Sequence, residues 1–316
     1  MPRLVWSIPL LCAMICAGFA MPAGADELAD KGRAILEANR DNVVTVRLVI
    51  KQQFAMQGMS QDNESKSEIS GTIIDPSGLT VVALSALDPS QMLQTMMESM
   101  GRDDEGFKIS SQVTDLKLLF RDGTEIPGQV VLRDKDLDLG FIRPKDKVAQ
   151  PMKFLDLSKS STPSILDPVI TVTRLGRVAG REYAVAIERV ESIVSKPRTF
   201  YVPGNDPTST GMGSPVFSLD GSVIGFMVVR QIKGGDDDGG GFFGMMNGAG
   251  QGNTMGIIVT TADVAEVAKQ APEKAEEPPA EEQPQAAPEE GEKPSDAPAE
   301  PPADAPKEEP AASPQA

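Results

Sequence analysis

The chain contains no histidine, and both of its cysteines, Cys12 and Cys16, fall in an apolar N-terminal segment. Imidazole and thiolate are therefore missing from everything after that segment. Their absence removes the commonest general base near neutral pH, the commonest transition-metal ligand and any disulfide. Chemistry is left to Asp, Glu, Lys, Ser, Thr and backbone groups. The most distinctive turn is "TGMGSP" (Thr210–Pro215), which puts the thioether of Met212 between two glycines, ahead of a "DG" hairpin (Asp220–Gly221). Met92, Met96 and Met100 recur at i, i+4 and i+8, as on one face of a helix. Such a stripe suits core packing or an adaptable partner surface, and thioethers also bind Cu(I) outside the cytosol. Asp236–Asp238 gather three carboxylates, but without the ligand spacing of a known calcium loop. No cofactor and no metal site is expected. No Ser-x-x-Lys motif stands near the turn, and "SKSS" (Ser158–Ser161) reads as a linker.

Several segments have to hold these residues in place. Residues 1–25 have a basic start at Arg3, an apolar run from Leu4 to Phe19 interrupted by Pro9, and small residues at Ala23–Ala25. The pattern predicts a secretory signal cleaved after Ala25, and so an exported protein of the periplasm, cell envelope or extracellular space. A retained anchor, or lipidation at Cys16, is the alternative. Residues 271–316 are rich in Pro, Glu and Ala and have no aromatic or branched aliphatic side chain. Thirteen acids against three lysines give them −10 of the chain's −16 charge. This composition predicts a disordered, extended tail, and its acidity says nothing about the globular surface. Residues 26–42 read as an amphipathic helix and linker. From residue 43 to 270, short β-rich runs alternate with "PSG", "RDG", "PG", "LG" and "LDG" turn signals, as in an all-β barrel or sandwich. Insertions at 88–106 and 233–253 interrupt the pattern, and "TTADVAEVAKQA" (Thr260–Ala271) reads as a closing helix.

Four segments together resemble the HtrA (DegP-like) group of trypsin-fold serine proteases. "SGTIIDPSGLTVVALSAL" (Ser70–Leu87) is similar to the first-barrel signature that leads to the family histidine. "RDGTEIPGQVVLRDKDLDLGFIR" (Arg121–Arg143) resembles the segment with the family aspartate. "TGMGSPVFSLDGSVIGF" (Thr210–Phe226) resembles the nucleophile turn, and "NTMGIIVTTADVAEVAKQ" (Asn253–Gln270) the closing strand and helix. They occur in family order and cover most of residues 43–270. The resemblance implies two antiparallel six-stranded barrels with short flanking helices and a site in the cleft between them. No PDZ-like domain follows; the tail occupies that place.

In this family a serine attacks the peptide carbonyl, a histidine takes its proton and an aspartate orients the histidine. Laid onto this chain, the motif puts Asp138 at the aspartate position, Ser85 at the histidine position and Met212 at the serine position. Thr210 and Ser214 replace flanking glycines. A thioether has no proton to give up and forms no stable acyl-enzyme. Losing the triad serine or histidine costs about 10⁶ in turnover. Thr210, in place of a glycine at the oxyanion hole, tolerates positive φ poorly. The expectation is a catalytically inactive homologue whose inter-barrel cleft binds a peptide or partner protein, as scaffold, regulator or chaperone. Thr210, Met212, Gly225, Phe226, Met227 and Val228 are the candidate binding residues, because a family substrate adds as a strand beside this segment, and Met212, Phe226 and Met227 are expected to line the cleft with apolar side chains. Homo-oligomerisation or assembly with an active protease is a further expectation. The alternatives are a hydrolase with a relocated site and a structural envelope protein. The acidic balance and lack of a basic run oppose nucleic-acid binding.

Overall fold

The computed structural model describes residues 26–56, 59–90, 107–204, 211–231 and 254–274. The predicted leader, the tail from residue 275 and most of both insertions lie outside these residues. So do Met92, Met96, Met100, Asp236–Asp238 and Thr210.

Twelve strands of the described residues close into two antiparallel barrels, the one all-β form that the resemblance implies where the turn-punctuated β runs left barrel or sandwich open. The first contains β1 (Val43–Met56), β2 (Met59–Ile73), β3 (Thr80–Ala83), β4 (Phe107–Leu119), β5 (Glu125–Asp134) and β6 (Leu139–Pro144), in the order β1-β2-β3-β6-β5-β4. The second contains β7 (Pro168–Arg174), β8 (Tyr183–Val194), β9 (Phe200–Pro203), β10 (Pro215–Ser218), β11 (Val223–Gln231) and β12 (Thr254–Thr260), in the order β10-β11-β12-β9-β8-β7. Closure removes most sheet edges.

Period-two alternation assigns the faces. On β1, Val44, Val46, Leu48 and Ile50 point into the first barrel, where they meet Ile73, Val82, Leu118 and Ile142. In the second barrel, Val169, Val190, Tyr201, Val216, Met227 and Ile258 fill the interior. The largest cluster lies between the barrels, where Val81, Leu139 and Phe141 from the first meet Phe217, Phe226, Val228 and Val259 from the second. One continuous apolar seam thus fixes how the barrels face each other.

Helices close the two ends. Helix α1 (Glu27–Asn39) starts at Asp26, whose side chain accepts the Leu28 amide, as an N-cap does. Its Gly32 lies against Val185 and Ile170 on the outside of the second barrel. A single turn, α2 (Leu84–Leu87), follows β3. Helix α3 (Thr261–Ala268) is capped by Thr260, whose hydroxyl accepts the Asp263 amide. Beyond α3 the chain returns to the first barrel, where Arg143 donates to the Pro272 carbonyl at 3.0 Å.

Two features reach beyond the barrel interiors. Arg174, on β7, is only 8% exposed and forms no salt bridge among the described residues. Its guanidinium crosses to the first barrel and donates to the carbonyls of Leu119 (2.7 Å) and Phe120 (3.3 Å). It also donates to Arg181 O and sits 5.4 Å from the centre of the Tyr183 ring. The second feature is a three-stranded arm. β1 pairs with β2 along its whole length, from Val43↔Thr72 to Met56↔Met59, and with β4 on its other side. β3 covers the outer edge of β2 only at Thr72 and Ile73.

Candidate functional site

The structure brings Ser85 and Asp138 into direct contact. Ser85 stands in α2, the single turn at the end of β3. Asp138 closes the turn between β5 and β6, in a left-handed conformation with φ 55°. That conformation is uncommon for a non-glycine residue, although Asp tolerates it better than most. The turn is fixed locally: Asp134 Oδ1 accepts the amides of Asp136 and Leu137, and the Asp138 carbonyl accepts the Leu84 amide at 2.8 Å.

The Asp138 carboxylate is fully engaged. Oδ1 accepts the Ser85 amide at 2.6 Å, and Oδ2 accepts the Ser85 hydroxyl at 2.9 Å. Oδ2 also accepts the Val229 amide of β11, in the other barrel, at 2.9 Å. Burial pushes the Asp138 pKa above the usual carboxylate value, against the opposing pull of the Val229 and Ser85 hydrogen bonds. An imidazole that a triad would need on this carboxylate has no counterpart, since the chain has no histidine. The serine hydroxyl contacts the acid directly.

The glycine turn meets the same end of the first barrel. Gly213 adopts φ 77°, and a Cβ there would stand 2.9 Å from both Ala83 N and Ser70 O. Only glycine satisfies both the angle and the approach. The turn is tied to β11 by Gly213 N to Met227 O (2.7 Å) and Met227 N to Ser214 O (3.0 Å). It is tied to the first barrel by Thr72 Oγ1, which donates to Gly213 O at 3.3 Å, and by Ser214 Oγ to Ser70 Oγ at 3.4 Å. Met212, at its tip, is half-buried against the inter-barrel cluster.

Four of the predicted binding residues are placed differently from the expectation of a side-chain-lined cleft. Phe226 and Val228 are fully buried between the barrels, and Met227 is fully buried inside the second. Gly225 lies so close to β12 that a Cβ would come within 1.9 Å of Val259 O. The reason is that both faces of β11 pack against apolar cores: Phe226 and Val228 face the cluster between the barrels, and Met227 faces the interior of the second barrel. These residues hold the wall, and their side chains do not line an opening. What β11 offers past Met227 is backbone. From Val228 to Gln231 it pairs with β12 alone among the described residues. The Met227 and Val229 amides point away from β12, toward Ser214 O and Asp138, and by alternation so does that of Gln231.

The arrangement has clear chemical consequences. Met212 carries no ionisable proton, and Ser85 already donates to Asp138. Among the described residues no group of three His, Cys, Asp or Glu is placed to hold a metal ion. Sequence reasoning missed the Val229 amide and Arg174. A backbone donor has no side-chain signature, and a lone arginine in a strand reads as a solvated cation unless the opposing carbonyls are known.

The sequence matches the trypsin-like peptidase domain over residues 69–226, half of its 316 residues. No curated protein matches it. Solved structures of the HtrA-type protease AlgW with a tripeptide, and of a serine-to-alanine variant with a tripeptide, are similar at 13% identity and a TM-score of 0.45. The similarity covers 76% of this chain and 62% of theirs, so the chain spans less than two thirds of those structures. With its two closed barrels and the turn, strand and aspartate at their junction, the chain belongs to the trypsin-like peptidase domain family.

Proposed function

We propose that this chain is an exported, HtrA-like member of the family that has lost proteolysis and keeps the inter-barrel cleft to bind an extended peptide or a segment of a partner protein. The observation that carries the reading is the state of Asp138. Its carboxylate accepts three hydrogen bonds from Ser85 and Val229, so the group that would orient a base instead ties the two barrels together. Met212 supports the same conclusion from the nucleophile side. A thioether neither attacks a carbonyl nor takes up a proton.

The binding half of the reading rests on the open edge of β11. An added strand gains main-chain hydrogen bonds there, and the half-buried Met212 gives it an adaptable apolar neighbour. The test uses the purified chain with a fluorophosphonate probe, unfolded casein and an immobilised peptide array. The expected result is no labelling, no cleavage and reproducible peptide binding. Gln231→Pro removes an outward amide without touching the pairing to β12, and is expected to weaken peptide binding about tenfold, the loss of one or two net hydrogen bonds. Cleavage abolished by Asp138→Ala would sink the inactive reading. Peptide binding unchanged in Gln231→Pro would sink the strand-edge reading.

A further inference from the structure

We propose that two copies of this chain pair through the outer edges of β2, antiparallel and in register about Ser65, joining their arms into one six-stranded sheet.

β1 covers one side of β2 from Thr72 to Met59, while β3 covers the other only at Thr72 and Ile73. Toward Ser70 the edge meets the glycine turn, since a Cβ on Gly213 would lie 2.9 Å from Ser70 O. The stretch Asp62–Glu68 is therefore a strand with unpaired backbone groups along one side among the described residues. Such an edge either repels other strands or recruits one.

The charges on this stretch distinguish a self-pairing edge from a repelling one. Asp62, Glu64, Lys66 and Glu68 share the outward face of β2, because side chains alternate along a strand. Two of them are already compensated inside the molecule. Asp62 pairs with Lys51 Nζ at 2.7 Å, and Glu68 accepts Arg181 Nη2 at 2.7 Å with Arg47 nearby. Lys51 stands opposite Glu64 across the β1–β2 ladder but sends its ammonium to Asp62. Glu64 and Lys66 thus form no salt bridge among the described residues, and both are exposed.

Only certain registers are open to a two-fold pair. Residues facing each other must lie on the same face of the sheet, so the axis passes through a residue. Centring on Glu64 sets Glu64 against itself, and centring on Lys66 sets Lys66 against itself. Centring on Asn63 places Asp62 against Glu64. Centring on Ser67 requires the segment past Glu68 that the second barrel already occupies. Centring on Ser65 sets Glu64 opposite Lys66 of the second copy, twice over. It also brings together Asp62 and Glu68, the two acids that already have cations. The small Ser65 at the axis leaves room for a close approach.

The test is sedimentation equilibrium of the full chain at low salt, with three variants. The expected result is a monomer–dimer equilibrium for the natural sequence. Lys66→Glu and Glu64→Lys each place like charges opposite one another in both pairs, and each is expected to weaken association about tenfold or more. The double variant, Glu64→Lys with Lys66→Glu, restores the opposite-charge pairs and is expected to return association to near the natural value. Both positions are exposed, and circular dichroism checks that each variant stays folded. A monomer throughout, a dimer indifferent to the single reversals, or a double variant as weak as the singles would each overturn the proposal.

Discussion

At each of two seams the barrels are joined by a charged group drawn at least partly out of water, and in neither is that group part of an ion pair among the described residues. At the cleft, the Asp138 carboxylate of the first barrel receives the Val229 amide of the second. At the other seam, the Arg174 guanidinium of the second barrel reaches the Leu119 and Phe120 carbonyls of the first. Each charge is met by backbone dipoles of the opposite barrel. A charge withdrawn from water must recover its lost hydration, and several fixed amides or carbonyls do this without a second ion to desolvate. The seams differ in what pH does to them. Arginine keeps its proton at any pH a protein survives. Asp138, raised by burial, does not stay in one state. The cleft seam is therefore the tunable one.

The largest effect is expected from the turn that wedges the cleft seam. Gly213→Ala forces a side chain to φ 77° and drives its Cβ against two backbone atoms of the first barrel, Ala83 N and Ser70 O, which cannot swing aside. The expected loss is about 4 kcal/mol or more, enough to leave little folded protein. Urea melts check this. A variant melting like the natural chain would show that the wedge is dispensable to the seam.

At the second seam, Arg174→Leu keeps apolar bulk but leaves the Leu119, Phe120 and Arg181 carbonyls without their donor. The expected cost is about 3 kcal/mol, independent of pH from 5 to 9. Arg174→Lys is expected to recover only part of it, because an ammonium cannot fork to two carbonyls and lie over Tyr183 at once. Full recovery in the lysine variant would reduce this seam to a simple point charge.

The cleft seam is expected to respond less to deletion and more to pH. Asp138→Ala strands the Ser85 and Val229 amides at a partly solvated site, for about 2 kcal/mol. Asp138→Asn keeps one acceptor, and asparagine tolerates the left-handed turn. It is expected to cost less and to flatten the pH dependence. The sign follows from the raised pKa. The folded state holds its proton to higher pH than the unfolded chain does. The contribution is therefore fully present below the unfolded Asp value of about 3.9, and is lost as pH rises through the folded value. A pH profile of Asp138→Asn identical to that of the natural chain would remove the distinction between the seams.

Much of this architecture was legible in the sequence, and the boundary of legibility is physical. The all-β character followed from short β-rich runs and turn residues, while the two barrels came from the resemblance to the trypsin-fold proteases. The closing helix followed from local chemistry. Ser85, Asp138 and Met212 were singled out by laying the family motif onto the chain. Phe226 and Met227, expected to line an opening, are instead buried. A fully apolar strand reads the same whether one face meets a ligand or both faces meet cores, and only the packing of the folded chain on the two faces of β11 decides it. Arg174 was invisible for a related reason. Its partners are carbonyls at the end of β4, more than fifty residues away, and backbone groups leave no trace in composition.

The smallest expected effect tests whether the donors around Asp138 matter or whether burial alone sets the behaviour of a carboxylate in this fold. Glu188, on β8, is the natural control. It stands opposite Val169, on the face that lines the second barrel, and its Oε2 has no hydrogen-bond partner among the described residues. Burial pushes its pKa up as well, with nothing opposing it. Both acids are therefore expected to weaken the fold as pH rises, but for Glu188 no hydrogen bond is lost when the charge is removed. Glu188→Gln is expected to stabilise the chain by about 1 kcal/mol near pH 8, a modest gain because the side chain is half-exposed, and by nothing near pH 4, where the acid is already neutral. Asp138→Asn, by contrast, sets an amide NH2 against the N–H of Ser85 or of Val229 whichever way it turns, and is expected to be destabilising at both pH values. Opposite signs at pH 8 for the two amide variants would establish that donors from the second barrel hold the cleft seam together. The same sign in both would assign the seam to apolar packing, with Asp138 a bystander.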